Sequence, residues 1–140
     1  MSQSNTRVGD FPVAAGVDLS GMEGRLVKMT HDGGAPEAAL PTDNADYALY
    51  ALVEGASLGG TARVRPLEAG RNARVRLKGT CNPGDAVVLA DTATEADRGM
   101  VRAVPEDAGT YRGIGIAEEA GVDGQLALIR PAMLGEITVV

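Results

Sequence analysis

The amino-acid sequence predicts an all-β protein, a small single-domain β-barrel or β-sandwich with an extended N-terminal arm. Three observations lead to this prediction: many short apolar runs, alternation of apolar with charged residues, and 19 glycines and 7 prolines that supply closely spaced turns. The 140 residues are the length of one ordinary domain. With one Phe, three Tyr and no Trp, the core must consist of Val, Leu, Ile, Ala and Met.

The N-terminal residues predict an arm outside the core. Residues 1–15 are polar and loosely patterned, so we place the folded β domain at 16–140. We expect the arm to become ordered only on a partner, because it has too little apolar area to offset its backbone entropy. Its one apolar spot, a candidate partner contact, consists of Phe11, Pro12 and Val13. The alternative for Phe11 is a cover over the protein's own core.

The next segments predict a strand, a loop and an ambiguous run. Residues 25–29 are typical of a strand, whereas residues 35–45 contain two prolines, small residues and acids and predict a loop. Residues 47–54 fit both a helical stripe and period two. We favour a strand there, because Gly55 and the Gly59-Gly60 pair end the run within eight residues.

The middle of the chain predicts a β-hairpin with one buried and one solvated face. Residues 62–67 and 72–78 alternate apolar with charged side chains, and residues 68–71 supply the turn. Positions two apart share a face of a strand. We therefore expect one face to carry the arginines that are candidate partner contacts, namely Arg63, Arg65, Arg74 and Arg76.

The C-terminal half predicts short strands separated by tight turns. Asn82-Pro-Gly-Asp85 is typical of a type II turn, since Pro83 fixes φ and Gly84 tolerates positive φ. A second turn is predicted at residues 122–125. Strands are expected at 86–90, 100–104, 111–117, 126–130 and 137–140, which gives about eight strands in the chain.

The charge distribution limits the classes of partner that the protein could bind. The net charge is −6, but residues 63–78 carry +5 and the remainder −11. An acidic chain without aromatic residues among its arginines is a poor candidate for direct nucleic-acid binding. The basic segment is either a solvated strand face or a docking patch for an acidic protein surface. No apolar run approaches the roughly 20 residues of a membrane span, and residues 1–7 lack the apolar stretch of a secretory signal.

The sequence offers little material for catalysis or metal binding. His31 is the one histidine and is expected on a surface loop; Cys81 is the one cysteine and is expected to be a buried or half-buried side chain, in a cytosolic setting. The adjacent Glu118 and Glu119 should point apart and cannot flank one substrate bond. No phosphate-binding loop is present. We expect no catalytic activity, no cofactor and no metal.

An ordered set of motifs resembles one protein family. The segment 16–27 reads Gly-Val-Asp-Leu-Ser-Gly-Met-Glu-Gly-Arg-Leu-Val, and later segments are the alternating run 74–79, Gly84-Asp85 with the apolar run 87–89, and Gly115-Ile-Ala117. In this order they resemble the capsid decoration (cement, or head-stabilising) proteins of tailed bacteriophages, over about residues 15–131. This chain departs from the family pattern at the arginine-rich segment and at residues 47–53.

The resemblance implies a structural virion protein. Such proteins bind the outer surface of a phage capsid, commonly as homotrimers at or near three-fold positions, and stabilise it by bridging neighbouring major capsid subunits. The implied partner is the major capsid protein, and the implied site of synthesis is the host bacterial cytoplasm. A different class stays open: a small β-barrel binding module, or a subunit of a bacterial complex with a site shared between protomers.

Overall fold

The computed structural model describes residues 9–140, and residues 1–8 lie outside the described part of the chain. The all-β prediction is confirmed. The described residues form one short 3₁₀ turn at Glu95–Asp97 and eleven strands: β1 Phe11–Ala15, β2 Leu26–Asp32, β3 Ala35–Ala39, β4 Tyr50–Glu54, β5 Thr61–Pro66, β6 Ala73–Arg76, β7 Ala86–Leu89, β8 Val101–Ala103, β9 Gly109–Ala117, β10 Leu126–Pro131 and β11 Glu136–Val139.

The first five strands close a small barrel in the order β1-β3-β2-β4-β5. The closure is made by β1, which runs antiparallel to β5 and parallel to β3. Residues on alternate positions face inward, as the pleat of a strand requires. They form one apolar core: Phe11, Val13, Ala15, Leu19, Val27, Ala38, Leu52, Ala62 and Val64.

The remaining strands form a second sheet in the order β6-β10-β9-β7-β8, with β11 added on β9. Beyond the end of β6, Leu77 makes a parallel bridge to Val101 on β8, which brings the two edges of this sheet together. The sheet surrounds a second core that includes Val75, Leu77, Val87, Leu89, Val101, Ile114, Ala127 and Ile129.

Strands β2 and β4 belong to both cores. Leu26 lies opposite Ala51 in the register of this pair, and both side chains face the core of the second sheet. The next residues along each strand, Val27 and Leu52, face the core of the barrel. All four side chains are buried, so this pair of strands is the common wall of two packed interiors.

The structure corrects the prediction for residues 11–15. They form β1 of the barrel, because the side chains of Phe11 and Val13 are buried and Ala15 is fully enclosed. Phe11 also packs edge-on against Tyr50, with ring centroids 5.9 Å apart. Of the two interpretations of Phe11, the structure thus supports the cover over the protein's own core. The predicted arm over residues 1–8 lies outside the described residues.

Two further sequence predictions are wrong. Residues 35–39, expected in a loop, form β3, which pairs antiparallel with β2 and parallel with β1 and buries Ala38 in the barrel core. The predicted hairpin does not form: β5 pairs within the barrel, whereas β6 pairs with β10 of the second sheet. The turn at residues 68–71 closes only a single bridge, between Glu68 and Arg71. Alternation predicted the two strands correctly but could not identify their partners.

The predicted strand over residues 47–54 is confirmed only from Tyr50 onwards. The turn at Asn82-Pro-Gly-Asp85 is confirmed, since Asp85 N–H donates to Asn82 O over 3.1 Å and Gly84 has a φ of +91°. The turn at 122–125 is confirmed by the bond of 3.1 Å from Gln125 N–H to Val122 O. Local turn chemistry predicted these positions, and tertiary hydrogen bonds from Gly84 N–H to Ala117 O and from Gly124 N–H to Leu77 O also hold the turns in place.

The segment 16–25, which carries the family resemblance, joins the two units. Its Leu19 is fully buried in the barrel core, and the Asp18 carboxylate accepts hydrogen bonds from the backbone and hydroxyl of Ser20. Gly24 donates to Leu52 O of the barrel and accepts from the backbone N–H of Arg76 on the second sheet. The motif is thus a structural connection between the barrel and the sheet.

We predict that Phe11→Ala destabilises the protein, because it removes a large side chain from the barrel core. The expected loss in the free energy of unfolding is about 3–5 kcal/mol, typical of such truncations. Pro12→Ala is the matched control on the exposed face of the same strand and should cost less than about 1 kcal/mol. Urea unfolding of the three proteins measures the difference, and equal stability of both variants would contradict the placement of β1.

A second prediction concerns the close approach at Gly55. A Cβ at this position would lie 2.0 Å from Leu19 O, so Gly55→Ala must displace the connecting segment. We expect a loss of about 1–3 kcal/mol, the usual cost of overpacking. Gly70→Ala is the control, because that glycine also has an ordinary φ and faces open space. Thermal unfolding should separate the two variants, and a Tm for Gly55→Ala at or above that of Gly70→Ala would refute the argument.

Candidate interaction surface

The four predicted arginines occupy two different sheets. Arg63 and Arg65 lie on β5 of the barrel, and Arg74 and Arg76 lie on β6 of the second sheet. Within each strand they alternate with buried residues and point outward, as expected. The prediction of one shared strand face is nevertheless wrong, because β5 and β6 do not pair.

Arg65 is paired within the chain. Its guanidinium donates from Nε to Oδ1 of Asp10 and from Nη2 to Oδ2, the latter over 3.1 Å. The hydrogen bond from Arg65 and the positive charges of Arg65, Arg63 and Arg71 hold the pKa of the Asp10 carboxyl below its usual value. This bidentate contact links Asp10, the residue that precedes β1, to strand β5 and so reinforces closure of the barrel.

Arg74 and Arg76 also bond to their own chain. Arg74 Nη1 contacts the Glu119 carboxylate and donates to Leu126 O over 3.1 Å. Arg76 donates to Gly124 O over 2.8 Å and to Glu23 O over 3.3 Å. These two arginines therefore stabilise the turn before β10 and the connecting segment, which leaves them less available to a partner.

Where the barrel meets the second sheet, the surface forms a groove of about 360 Å³, here called the seam groove. Arg65, Arg71 and Arg74 contribute to its lining, together with Glu23 and Glu68. Other lining residues are apolar: Leu52, Leu67, Leu126 and Leu128. The structure thus brings Arg65 and Arg74 together with Arg71, whereas Arg63 and Arg76 do not line this groove.

Arg71 was not among the predicted contact residues. It lies in the turn before β6 and does not alternate with apolar residues, so the strand pattern gave no reason to select it. Its position in the basic segment was the one available signal. Arg71 and Arg63 are exposed, and within residues 9–140 neither forms a side-chain hydrogen bond or an ion pair within 4 Å. Arg63 and Arg71, which flank Arg65 in the sequence, are therefore the arginines of the basic segment that remain available to a partner.

The apolar spot predicted at residues 11–13 is largely unavailable. Phe11 and Val13 face the barrel core, and only Pro12 is exposed. Pro12 lies opposite Arg63 in the β1–β5 register. Any contact that a partner makes at this strand would therefore involve Pro12 beside Arg63.

The other side chains considered in the sequence analysis, which are a histidine, a cysteine and two glutamates, do not form a common site. His31 is exposed as predicted, but it lies at the end of β2, and its Nδ1 accepts a hydrogen bond from Gly34 N–H over 3.0 Å. Cys81 is buried as predicted, and burial raises the pKa of its thiol. Glu118 and Glu119 point to different arginines, Arg130 and Arg74.

Within residues 9–140 no group of three or more His, Cys, Asp or Glu side chains is placed to hold a metal ion. In the same part of the chain, no helix has the length and apolar character required to cross a membrane.

The fold has a counterpart among solved structures. It is similar to the N base of head fiber gp8.5 in bacteriophage phi29, with a TM-score of 0.66 and 17% sequence identity. The match covers 89% of this chain and 93% of that chain. At this level of identity the likeness shows the fold alone. No protein-family model matches the chain, and no curated protein matches it.

We predict that the contribution of Asp10 to stability depends on pH. Because the pKa of its carboxyl is lowered in the folded state, its stabilising effect is present above the unfolded value of 3.8 and is lost as pH falls through the folded pKa. Asp10→Asn should therefore have a slightly lower Tm than the wild type at pH 7, and the gap should close on acidification. Asp32→Asn, at the exposed end of β2, is the control. A gap that is constant from pH 7 to pH 2 would contradict the pairing.

Proposed function

We propose that this protein is a structural component of a bacteriophage virion that binds the outer surface of the head. In this proposal it acts as a homotrimer and stabilises the shell by bridging neighbouring major capsid subunits. The observation that supports the proposal is that the sequence motifs and the fold both resemble proteins of phage heads. The motifs resemble phage decoration proteins in order along the chain, and the fold resembles a phage head-fibre base over 89% of its length.

The architecture is suited to a mechanical role. Two apolar cores share a wall of buried side chains, so the barrel and the sheet cannot move apart without exposing both interiors. A body of this kind can transmit load between the subunits that it contacts. A trimer that holds three neighbours also gains from effective concentration, so that modest individual contacts give durable attachment.

The seam groove and its flanking cations are the surface that we assign to the shell. Arg63 and Arg71 are exposed cations without partners in the described residues, and they lie near Arg65 in a chain whose net charge is −6. The exposed charges of Arg63 and Arg71, with which no carboxylate of the described residues pairs within 4 Å, favour an acidic partner surface and orient its approach. We propose that this partner surface belongs to the major capsid protein.

Binding to heads that lack the protein tests the proposal. Purified protein is mixed with such heads, and the bound amount is measured by sedimentation, with the bound positions imaged by electron microscopy. We expect saturable binding outside the shell and a higher temperature of head disruption when the protein is bound. Absence of binding at micromolar protein, or binding that leaves head stability unchanged, would refute the function.

The same assay tests the cationic surface. We predict that the double variant Arg63→Ser with Arg71→Ser binds heads about two- to thirtyfold more weakly, since exposed charge pairs contribute about 0.2–1 kcal/mol each. Wild-type binding should also weaken as the screening length falls from about 10 Å at 0.1 M salt to about 3 Å at 1 M. Arg130→Ser is the matched control, since Arg130 pairs with Glu118 away from the seam groove. Unchanged binding by the double variant would assign the shell contact to another surface.

A further inference from the structure

A rigid bulge projects from the second sheet. Strands β10 and β11 lie along the same side of β9, but four residues, 132–135, lie opposite only two residues of β9, 113 and 114. The bulge is held by hydrogen bonds from Ala132 N–H to Ile114 O over 3.0 Å and from Gly113 N–H to Gly135 O over 2.8 Å. Gly113 permits this approach, because a Cβ there would lie 2.6 Å from the Cβ of Leu134. The bulge directs Met133 fully into solvent.

Beside this bulge lies an apolar groove of about 420 Å³, here called the bulge groove. Its walls include Tyr47, Leu49, Leu67, Ile114 and Pro131, with Met133 at its rim. Tyr47 is 68% exposed and Leu49 is 43% exposed. A convex apolar side chain and a concave apolar surface therefore lie next to each other, and apolar patches of this kind mark interaction sites.

The wall of the bulge groove is fixed by Arg112. This arginine is only 7% exposed, and its guanidinium lies 4.1 Å from the centroid of the Tyr47 ring. It donates to Ala45 O over 2.7 and 3.0 Å and pairs with Glu136 over 3.2 Å. The groove thus has a preorganised aromatic wall, which lowers the entropic cost of filling it.

Charge identifies the partner that fits this surface. Each copy carries a net charge of −6, so two copies repel each other except where charge is locally balanced. Among the described residues that line the bulge groove none is acidic, and the one cation, Arg112, is neutralised by Glu136. Next to the groove, β11 pairs with β9 and with no other strand formed by residues 9–140, so its outer edge can form main-chain hydrogen bonds with another chain.

We propose that the bulge groove is the contact between copies of this protein, with Met133 of one copy seated in the groove of a neighbour. Methionine is suited to this role because its unbranched side chain adapts to an irregular apolar cavity. This inference adds to the proposed function the surface through which the copies assemble. It rests on the proposed function only for the number of copies, three.

The test uses full-length protein without heads. Sedimentation velocity over a concentration series compares wild type with Met133→Glu and with Val122→Glu, a control at an exposed valine in another turn. We expect wild type and Val122→Glu to associate equally, and Met133→Glu to raise the dissociation constant about ten- to hundredfold. Because Met133 is fully exposed, the variant should keep the wild-type Tm of its monomer.

Each other outcome overturns the proposal. If the wild type stays monomeric at high concentration, the proposed contact between copies does not exist. If Met133→Glu associates as the wild type does, the copies contact each other through another surface. A variant that associates normally but fails to bind heads would assign the bulge groove to the capsid instead. The proposed function is refuted separately, by a wild type that associates but does not bind heads.

Discussion

The antiparallel pair β2–β4 is the constraint on which the rest of this structure depends. Along each strand, consecutive residues are buried in different interiors: Leu26 and Ala51 in the second sheet, Val27 and Leu52 in the barrel. A sheet surface buried on both faces cannot tolerate polar substitution or a shift of register, since either would place the wrong side chains in both cores. The two units are therefore joined as one body by shared apolar burial.

The connecting segment 16–25 and the arginines reinforce this junction. Gly24 lets the Leu126 side chain approach, and Gly55 lets the backbone carbonyl of Leu19 approach, where a Cβ would collide; the Leu19 side chain is buried in the barrel core. Arg76 then donates to carbonyl oxygens on both sides of the junction, Glu23 and Gly124. Residues that resemble a family motif are thus explained by packing, and most of the basic segment is used in holding the protein together.

The surfaces that remain are of two kinds, and their physical properties suit different partners. The seam groove carries exposed cations and favours an acidic protein surface, with an interaction that salt weakens. The bulge groove is apolar with balanced charge and favours a copy of the same chain, with an interaction that depends on apolar burial. Separate surfaces for assembly and for attachment would suit the proposed bridging of several capsid subunits.

The sequence alone determined the all-β class, the turns at residues 82–85 and 122–125, the burial of Cys81 and the outward direction of the arginines, because these depend on local residue chemistry and period. Motif order along the chain supplied the resemblance to phage decoration proteins that supports the proposed function. The tertiary structure decided strand partners. Alternation is the same for a strand in a hairpin and for strands in separate sheets, so β5 and β6 were paired wrongly. Likewise, Phe11 to Ala15 are apolar but directly follow a polar segment, so they were assigned to an arm, and only closure of the barrel shows that they belong to the core. The seam groove and the bulge groove join residues far apart in the chain, so the basic segment was the one local signal for Arg71, and no local pattern indicated Met133.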